Sequence, residues 1–494
     1  MSKNNLIQLY DSSAKVKQIG DSLQLHGQKI HLNGLIGSSL SFVVQSLFKK
    51  SEFPFLVILN DKEEAAYYLN DLEQMVGEED VLFYPGSYRR PYQIEDTDNA
   101  NVLLRAEVLN RINSRKKPAV VVTYPEALFE KVVTKKELDK NTLKVAVGDQ
   151  ISIEFINEVL FEYEFKRVDF ITEPGEFSVR GGIIDVFSFS NDNPYRIEFF
   201  GNEVDSIRSF DVETQLSIEK QKKIAIIPNV ENKFFQENRE SFLDYIHQNT
   251  IVFIQNTELL ISKLEKLFDK ADDIFKNLNA TIKHVPPEKI FLHQKEFLKK
   301  ALDFTVVELS SKPTFNIAKA FDFHIQPQPS FNKQFDLLLN NLNDNHFNGY
   351  KNYLFCSSGA QEKRFHDIFE SLDEANHESI RKQYHTVVFP LYQGFIDEEN
   401  QIACYTDHQI FERYHKFSIK NGYSKKQTIT LKELNTLSVG DYVTHIDHGI
   451  GKFGGLQKIQ VEGKTQEAIK LVYADNDIVY VSIHSLHKIS KYNG

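Results

Sequence analysis

The sequence predicts a multidomain α/β protein that ends in a small all-β module. The chain has 494 residues, which is enough for three or more domains. Through most of its length, short apolar runs alternate with segments of helical periodicity, a pattern typical of α/β domains. After residue 437, short alternating strands are separated by glycine turns, which is typical of a small barrel.

The first region contains the clearest strand and helix signals. Residues 55–59 and 119–123 and the run Val81–Tyr84 are apolar and short, so each predicts a buried strand. Asp61 can cap a helix that continues through Met75, because its side chain can accept a hydrogen bond from a free helix N–H group. Strands that alternate with helices in this way predict a parallel sheet.

The pattern changes near residue 125 and again near 331. An inserted α+β region follows the first α/β segment, with a helix near 150–163, one long strand at 177–187 and a second strand at 195–200. α/β patterning then resumes. We therefore predict a split α/β domain at 1–124 and 216–330, an inserted domain at 125–215, a small α/β domain at 331–423, a linker at 424–436 and a β module at 437–494.

A glycine turn lies where a nucleotide-binding domain has its phosphate-binding loop. A working loop follows the pattern Gly-x-x-x-x-Gly-Lys-Ser/Thr, in which the lysine contacts the β- and γ-phosphates. If Gly34 and Gly37 align with a helicase-type loop, Leu40 occupies the lysine position. Leucine cannot neutralise phosphate charge. The sequence therefore predicts a degenerate helicase-like domain that binds neither ATP nor Mg²⁺.

Other chemistry is not indicated. We find no nucleophile–base pair at recognisable spacing, and Cys356 and Cys404 are too few for a cysteine metal site. His445 and His448 border a turn, which needs no metal. The net charge of −11 argues against broad DNA affinity, because phosphate binding requires clustered cations. No run approaches the roughly 18 apolar residues of a membrane span, so we expect a non-catalytic, cytoplasmic chain.

The most distinctive motif lies in the inserted region. Arg180 and Arg196 stand among apolar strand residues, and Phe200 ends the Phe-Phe pair that follows Arg196. Arginine beside an aromatic residue on a strand surface is the usual composition of an interaction hot spot. The alternative is that both arginines pair with local acids such as Glu198 or Asp205 and only stabilise the sheet.

This stretch resembles the domain that the excision-repair helicase subunit UvrB shares with the bacterial transcription-repair coupling factors, and which binds the damage sensor UvrA. The resemblance implies that the two arginines and the second phenylalanine of the motif contact UvrA. In this sequence those positions are Arg180, Arg196 and Phe200.

The final module resembles the RNA-polymerase-interacting domain that CarD regulators share with the same coupling factors. The resemblance implies that the strand containing Leu456, Lys458 and Ile459 pairs edge to edge with the polymerase β subunit, and that the module is a Tudor- or SH3-like barrel. Since Leu456 and Ile459 differ in parity, only one should face the core of a regular strand. We expect Ile459 to face the partner and Leu456 to pack inside.

Together the resemblances imply the non-motor part of a coupling factor, which would recruit UvrA and hold RNA polymerase. The ATP- and Mg²⁺-dependent translocase that displaces stalled polymerase, and most of the DNA contact, would belong to a motor absent from this sequence. Two alternatives remain: a fragment of the excision-repair helicase subunit, and a CarD-type transcription regulator without a repair role.

Overall fold

The computed structural model describes the chain in ranges. These are residues 3–87, 99–114, 117–189, 191, 193–212, 214–229, 239–278, 285–372, 382–413, 439–445, 448–461, 464–473, 477–482 and 489–491. The predicted linker at 424–436 lies outside them. The chain divides into two compact units, Met1–Ser209 with Glu219–Gly422, and Phe210–Ile218 with Tyr423–Gly494.

Strands occur throughout both units. In chain order they are β1 Lys29–Asn33, β2 Phe55–Ile58, β3 Val81–Tyr84, β4 Val120–Thr123, β5 Val132–Val133, β6 Leu143–Ala146, β7 Lys166–Arg167, β8 Glu176–Arg180, β9 Ile183–Val186, β10 Tyr195–Phe200, β11 Glu203–Phe210, β12 Ser217–Gln221, β13 Lys223–Ile226, β14 Arg239–Glu240, β15 Ile251–Ile254, β16 Thr305–Glu308, β17 Lys319–Asp322, β18 Ile325–Pro327, β19 Lys351–Cys356, β20 Tyr384–Val388, β21 Phe395–Asp397, β22 Ile402–Thr406, β23 Tyr442–His445, β24 Gly449–Val461, β25 Lys464–Val472, β26 Ile478–Ser482 and β27 Ile489–Lys491.

Helices occur among the strands up to residue 410. They are α1 Lys3–Ser12, α2 Ala14–Leu23, α3 Ser39–Lys49, α4 Lys62–Val76, α5 Asn99–Ser114, α6 Pro125–Phe129, α7 Lys135–Lys140, α8 Ile153–Glu162, α9 Phe242–Tyr245, α10 Thr257–Lys276, α11 Pro287–Ile290, α12 Gln294–Ala301, α13 Phe335–Phe347, α14 Gly359–Leu372 and α15 Asp407–Ile410. In the part of the chain that is described, none of these helices is long and apolar enough to cross a membrane.

A seven-stranded sheet forms the centre of the first unit. Its order is β17-β1-β16-β15-β2-β4-β3, and neighbouring strands pair in parallel. Strands β2, β3, β4 and β15 are buried at every position, as expected of a parallel sheet covered on both faces. The predicted α/β class with a parallel sheet is confirmed. Asp61 also caps α4 as predicted, and its Oδ1 accepts from Glu64 N at 2.9 Å.

The inserted region forms a six-stranded sheet in the order β12-β11-β10-β9-β8-β7. The prediction of one long strand over 177–187 is wrong. The chain turns at Gly181 and Gly182, so that β8 and β9 pair antiparallel. Gly181 has a φ of +58°, which a glycine adopts without strain. Apolar residues alternate on both sides of this turn, so the two strands look like one in the sequence.

A mixed five-stranded sheet follows in the order β18-β21-β22-β19-β20. Strand β19 pairs in parallel with β20 and β22. Strand β21 runs antiparallel to both of its neighbours. Helices α13 and α14 bury Leu338, Leu342, Phe365 and Phe369 in the core beside this sheet.

The last described strands form an antiparallel sheet in the order β26-β25-β24-β23-β27. The predicted all-β character of this module is confirmed. Its core is small, because only five apolar side chains are buried together in the described part: Val443, Phe453, Ile469, Leu471 and Val481.

Candidate docking surfaces

Two arginines of the inserted sheet share one buried carboxylate. Asp185 lies on β9, and its side chain is fully buried. Arg196 Nε donates to Asp185 Oδ1 at 2.7 Å, and Arg196 Nη2 donates to Oδ2 at 2.9 Å. Arg180 Nη2 donates to the same Oδ2. The register explains the cluster, because Arg196 lies directly opposite Asp185 on the neighbouring strand.

The cluster combines a buried anion with partly exposed cations. The side chain of Arg180 is 42 % exposed and that of Arg196 is 19 % exposed. The hydrogen bond to Asp185 raises the pKa of Arg196 above its usual value. Breaking one partner from a buried ion pair is strongly destabilising. Asp185 therefore holds both guanidinium groups at this face.

Local pairing of the arginines, the alternative that the sequence left open, exists but uses a different acid. Glu198 instead accepts hydrogen bonds from Arg208 Nη2 and, at 2.7 Å, from Ser206 Oγ. The Ser206 hydrogen bond is the largest cause that lowers the pKa of Glu198. Asp185 was missed, although an acid inside the apolar run of β9 was a visible signal of a buried ion pair.

Two exposed aromatic rings lie in the same region as the arginines. Phe200 is 84 % exposed and ends β10, immediately before the turn at Gly201, where φ is +63°. Phe170 is 53 % exposed, and the Arg180 guanidinium carbon lies 5.3 Å from its ring centroid. Sequence reasoning missed Phe170 because it lies outside the strand motif.

The C-terminal module corrects the predicted burial of one residue. Leu456 was expected to pack inside, but it is 45 % exposed. It lies opposite the buried Ile469 on β25, just after a register shift at Phe453. Strand β23 pairs with β24 only as far as Lys452, so no strand described by the structure flanks Leu456 on that side. The backbone edge of β24 is therefore open beside Leu456.

The outer half of β24 has an open edge. Lys458 and Ile459 lie opposite Glu467 and Gln466 of β25, while their side chains lie outside the described part. Among the described residues, β24 pairs on one side only beyond Phe453. An unpaired strand edge offers N–H and C=O groups to a partner strand.

The glycine turn before α3 is filled by the chain itself. Ser38 N donates to Gln393 O at 3.2 Å, and Gln393 N donates to Ser38 Oγ at 3.0 Å. A Cβ atom on Gly34 would lie 2.1 Å from Phe323 O, and one on Gly37 would lie 3.0 Å from Gly394 O. Leu40 is buried in the first turn of α3. We call residues 392–394 the covering segment.

A buried aspartate fixes the covering segment. Asp71 Oδ1 accepts from Tyr392 N at 3.0 Å, and Asp71 Oδ2 accepts from Ser41 Oγ at 3.3 Å. Burial raises the pKa of Asp71 to about 7. The ring of Tyr392 stacks on Tyr67 with centroids 4.0 Å apart. Backbone, carboxyl and ring contacts therefore all hold this segment over the glycine turn.

Histidines in the final module are close to one another. His445 is buried, and its ring centroid lies 4.7 Å from that of His448. Within the described ranges, no group of three or more His, Cys, Asp or Glu side chains is placed to hold a metal ion.

Comparison with known proteins finds a family match for the inserted region and another for the final module. Residues 143–232 match the UvrB interaction domain family, and residues 437–493 match the CarD-like/TRCF RID domain family. The chain is 25 % identical to a transcription-repair-coupling factor of Bacillus subtilis, with 94 % of the chain and 45 % of the relative aligned. For the factor of Escherichia coli the values are 22 %, 95 % and 45 %.

The chain is similar along most of its length to transcription-repair-coupling factors. The factor of Haemophilus influenzae also matches, at 22 % identity over 89 % of the chain and 43 % of the relative. The chain thus spans about half the length of the curated relatives it matches, and corresponds to their N-terminal half. The UvrB interaction match contains the Asp185 cluster, and the RID match contains all of β23 to β27.

Proposed function

We propose that this chain is the non-motor part of a transcription-repair-coupling factor and that it links UvrA to the β subunit of RNA polymerase. The observation that carries the proposal is the presence of both domain matches in one chain that aligns along nearly all of its length with coupling factors. A CarD-type regulator would leave the inserted sheet without a role. A helicase-subunit fragment would leave the final module without one.

The test is a three-component assembly. Purified chain should bind UvrA and polymerase separately and should bring both into one complex during size-exclusion chromatography. A chain that binds polymerase but not UvrA would support the CarD-type alternative. A chain that binds neither would overturn the proposal.

The inserted surface is proposed to contact UvrA through Arg180, Arg196 and Phe200. The partial exposure of the arginines and the solvent position of Phe200 support this assignment. Replacing each by alanine should weaken UvrA binding by about 1–4 kcal/mol, as truncation of hot-spot residues does. Surface plasmon resonance measures the change. Wild-type affinity in all three variants would contradict the assignment.

The polymerase contact is proposed at the open edge of β24, with Leu456, Lys458 and Ile459. Edge pairing gives affinity through main-chain hydrogen bonds and specificity through alternate side chains. The exposure of Leu456 supports adding it to the contact. Ile459→Arg should abolish binding to the β subunit because it places an unpaired charge in the interface. Circular dichroism and UvrA binding should stay unchanged.

The chain itself is proposed to bind no nucleotide. Leu40 replaces the phosphate lysine, and the covering segment occupies the turn. Mg-ATP should not raise the melting temperature, and purified chain should show no ATP turnover. In the whole protein, ATP, Mg²⁺ and most DNA contact would belong to a translocase motor that displaces stalled polymerase.

A further inference from the structure

The proposed UvrA surface contains two residues that neither the family motif nor the comparisons assign. We propose that Asp185 is a positioning residue that holds Arg180 and Arg196 in one geometry, and that Phe170 is a further contact residue of the same surface. The partner patch that fits is a pair of acidic groups beside an apolar recess. This inference rests on the proposed function.

The charges within the cluster support an acidic partner. Arg180, Arg196 and the single carboxylate of Asp185 carry a formal net charge of +1. The neighbouring Arg208 and Glu198 form a pair with no net charge. An acidic patch on the partner would therefore meet a net positive charge at this cluster, which favours specificity.

The restraint on the arginines explains why Asp185 matters for binding. A free arginine loses side-chain entropy when a partner immobilises it. Here Arg196 is already held by two hydrogen bonds of 2.7 and 2.9 Å, and Arg180 by one to the same carboxylate. Because the guanidinium fork is planar and rigid, these bonds fix its orientation as well as its position.

Phe170 extends the surface on the side of Arg180. Its ring lies beneath the Arg180 guanidinium group, and about half of the side chain remains exposed. A cation stacked on an aromatic face is attracted by the ring. The ring therefore restrains Arg180 from a second direction and also offers apolar area to a partner.

The first experiment separates position from charge. Arg196→Lys keeps the positive charge but loses the paired hydrogen bonds to Asp185. We expect it to weaken binding to purified UvrA roughly tenfold or more, close to the loss in Arg196→Ala. Wild-type affinity in the lysine variant would overturn the positioning role. Glu198→Gln, which alters the neighbouring pair instead, is the matched control and should bind normally.

Asp185→Asn is a second test of the positioning role, provided that the variant keeps the wild-type circular dichroism spectrum. Its effect on UvrA affinity should be much smaller in the Arg196→Ala background than in the wild type, because the two residues act together. Full additivity would contradict the inference. The lysine experiment remains decisive if the asparagine variant does not fold.

The second experiment concerns Phe170. Phe170→Ala should reduce UvrA affinity roughly tenfold without changing the melting temperature much. Phe155→Ala is the control, since Phe155 is 49 % exposed on α8 of the same region and is not expected to contact the partner. Equal behaviour of the two variants would overturn the assignment. If the wild-type chain itself fails to bind UvrA, the proposed function fails and not merely this inference.

Discussion

The glycine turn before α3 and the arginine cluster of the inserted sheet both place polar groups beside a sheet, but the fold treats them in opposite ways. At the turn, Ser38 and Asp71 are buried and bonded to the chain's own covering segment. At the cluster, Asp185 is buried while Arg180 and Phe200 remain exposed. Polar groups that form hydrogen bonds within the chain contribute to stability. Polar groups that are fixed in place but remain exposed can bind a partner.

The largest expected effect is at the glycine turn. Gly34→Ala should destabilise the chain by about 4 kcal/mol or more, because the new Cβ would overlap Phe323 O and φ is +82°. Urea denaturation measures it. Gly201→Ala also has a positive φ but no atom within 4 Å of the new Cβ, so it should lose only about 1–2 kcal/mol. Similar losses in both would show that Phe323 O does not lie tightly against Gly34.

The next largest expected effect is a dependence of the free energy of unfolding on pH. The pKa of Asp71 is raised to about 7 in the folded chain, so the folded state holds a proton that the unfolded state releases near pH 4. Stability from this group is therefore present at low pH and is lost as the pH rises through 7, by roughly 2–3 kcal/mol between pH 5 and 8. In Asp71→Asn this part of the pH dependence should disappear.

Urea denaturation of wild type and Asp71→Asn at pH 5 and pH 8 measures that difference. An identical pH dependence in both proteins would show that Asp71 does not hold the covering segment in a protonated form.

The next comparison lies within the final module, between a buried leucine and an exposed one. Leu471 is fully buried and Leu456 is 45 % exposed. Leu471→Ala should therefore cost about 2–5 kcal/mol, while Leu456→Ser should cost less than about 1 kcal/mol. Thermal unfolding followed by circular dichroism compares them. A larger loss in Leu456→Ser would restore the inward face that the sequence predicted.

The smallest effect is expected at the docking surface. Phe200→Ala should change the free energy of unfolding by no more than about 0.5 kcal/mol, because an exposed side chain loses little on truncation. The buried Phe177 on β8 is the contrast, and Phe177→Ala should cost about 3–5 kcal/mol. A destabilised Phe200→Ala variant would mean that this ring serves the fold.

The sequence predicts local structure where one short pattern is sufficient. The apolar run Val81–Tyr84 and the cap Asp61 specify their elements through neighbours along the chain. The prediction fails where two patterns coincide, because the glycine pair at 181 and 182 interrupts an apolar run that looks like one strand. The sequence does not indicate long-range contacts. Gln393 meets Ser38 across 355 positions, and nothing local to either residue indicates the contact.

The same difference between local and long-range information applies to the residues of the candidate surfaces. The positions of Arg180, Arg196 and Phe200 followed from a motif resemblance, while Asp185 and Phe170 emerged only when the strands were paired and the rings placed. The open edge of β24 beside Leu456 depends on where β23 ends, which a strand's own alternation does not encode.

The covering segment also changes how a soluble competitor would have to act. A ligand joined to its own site by a chain is present there at an effective concentration that, for short flexible linkers, is on the order of millimolar. Here the segment leads directly into strand β21, which pairs with β18 and β22. The fold therefore positions the segment at the turn as well as tethering it there. Dilution cannot remove it. Any small molecule entering at Gly37 would have to displace an occupant that never diffuses away.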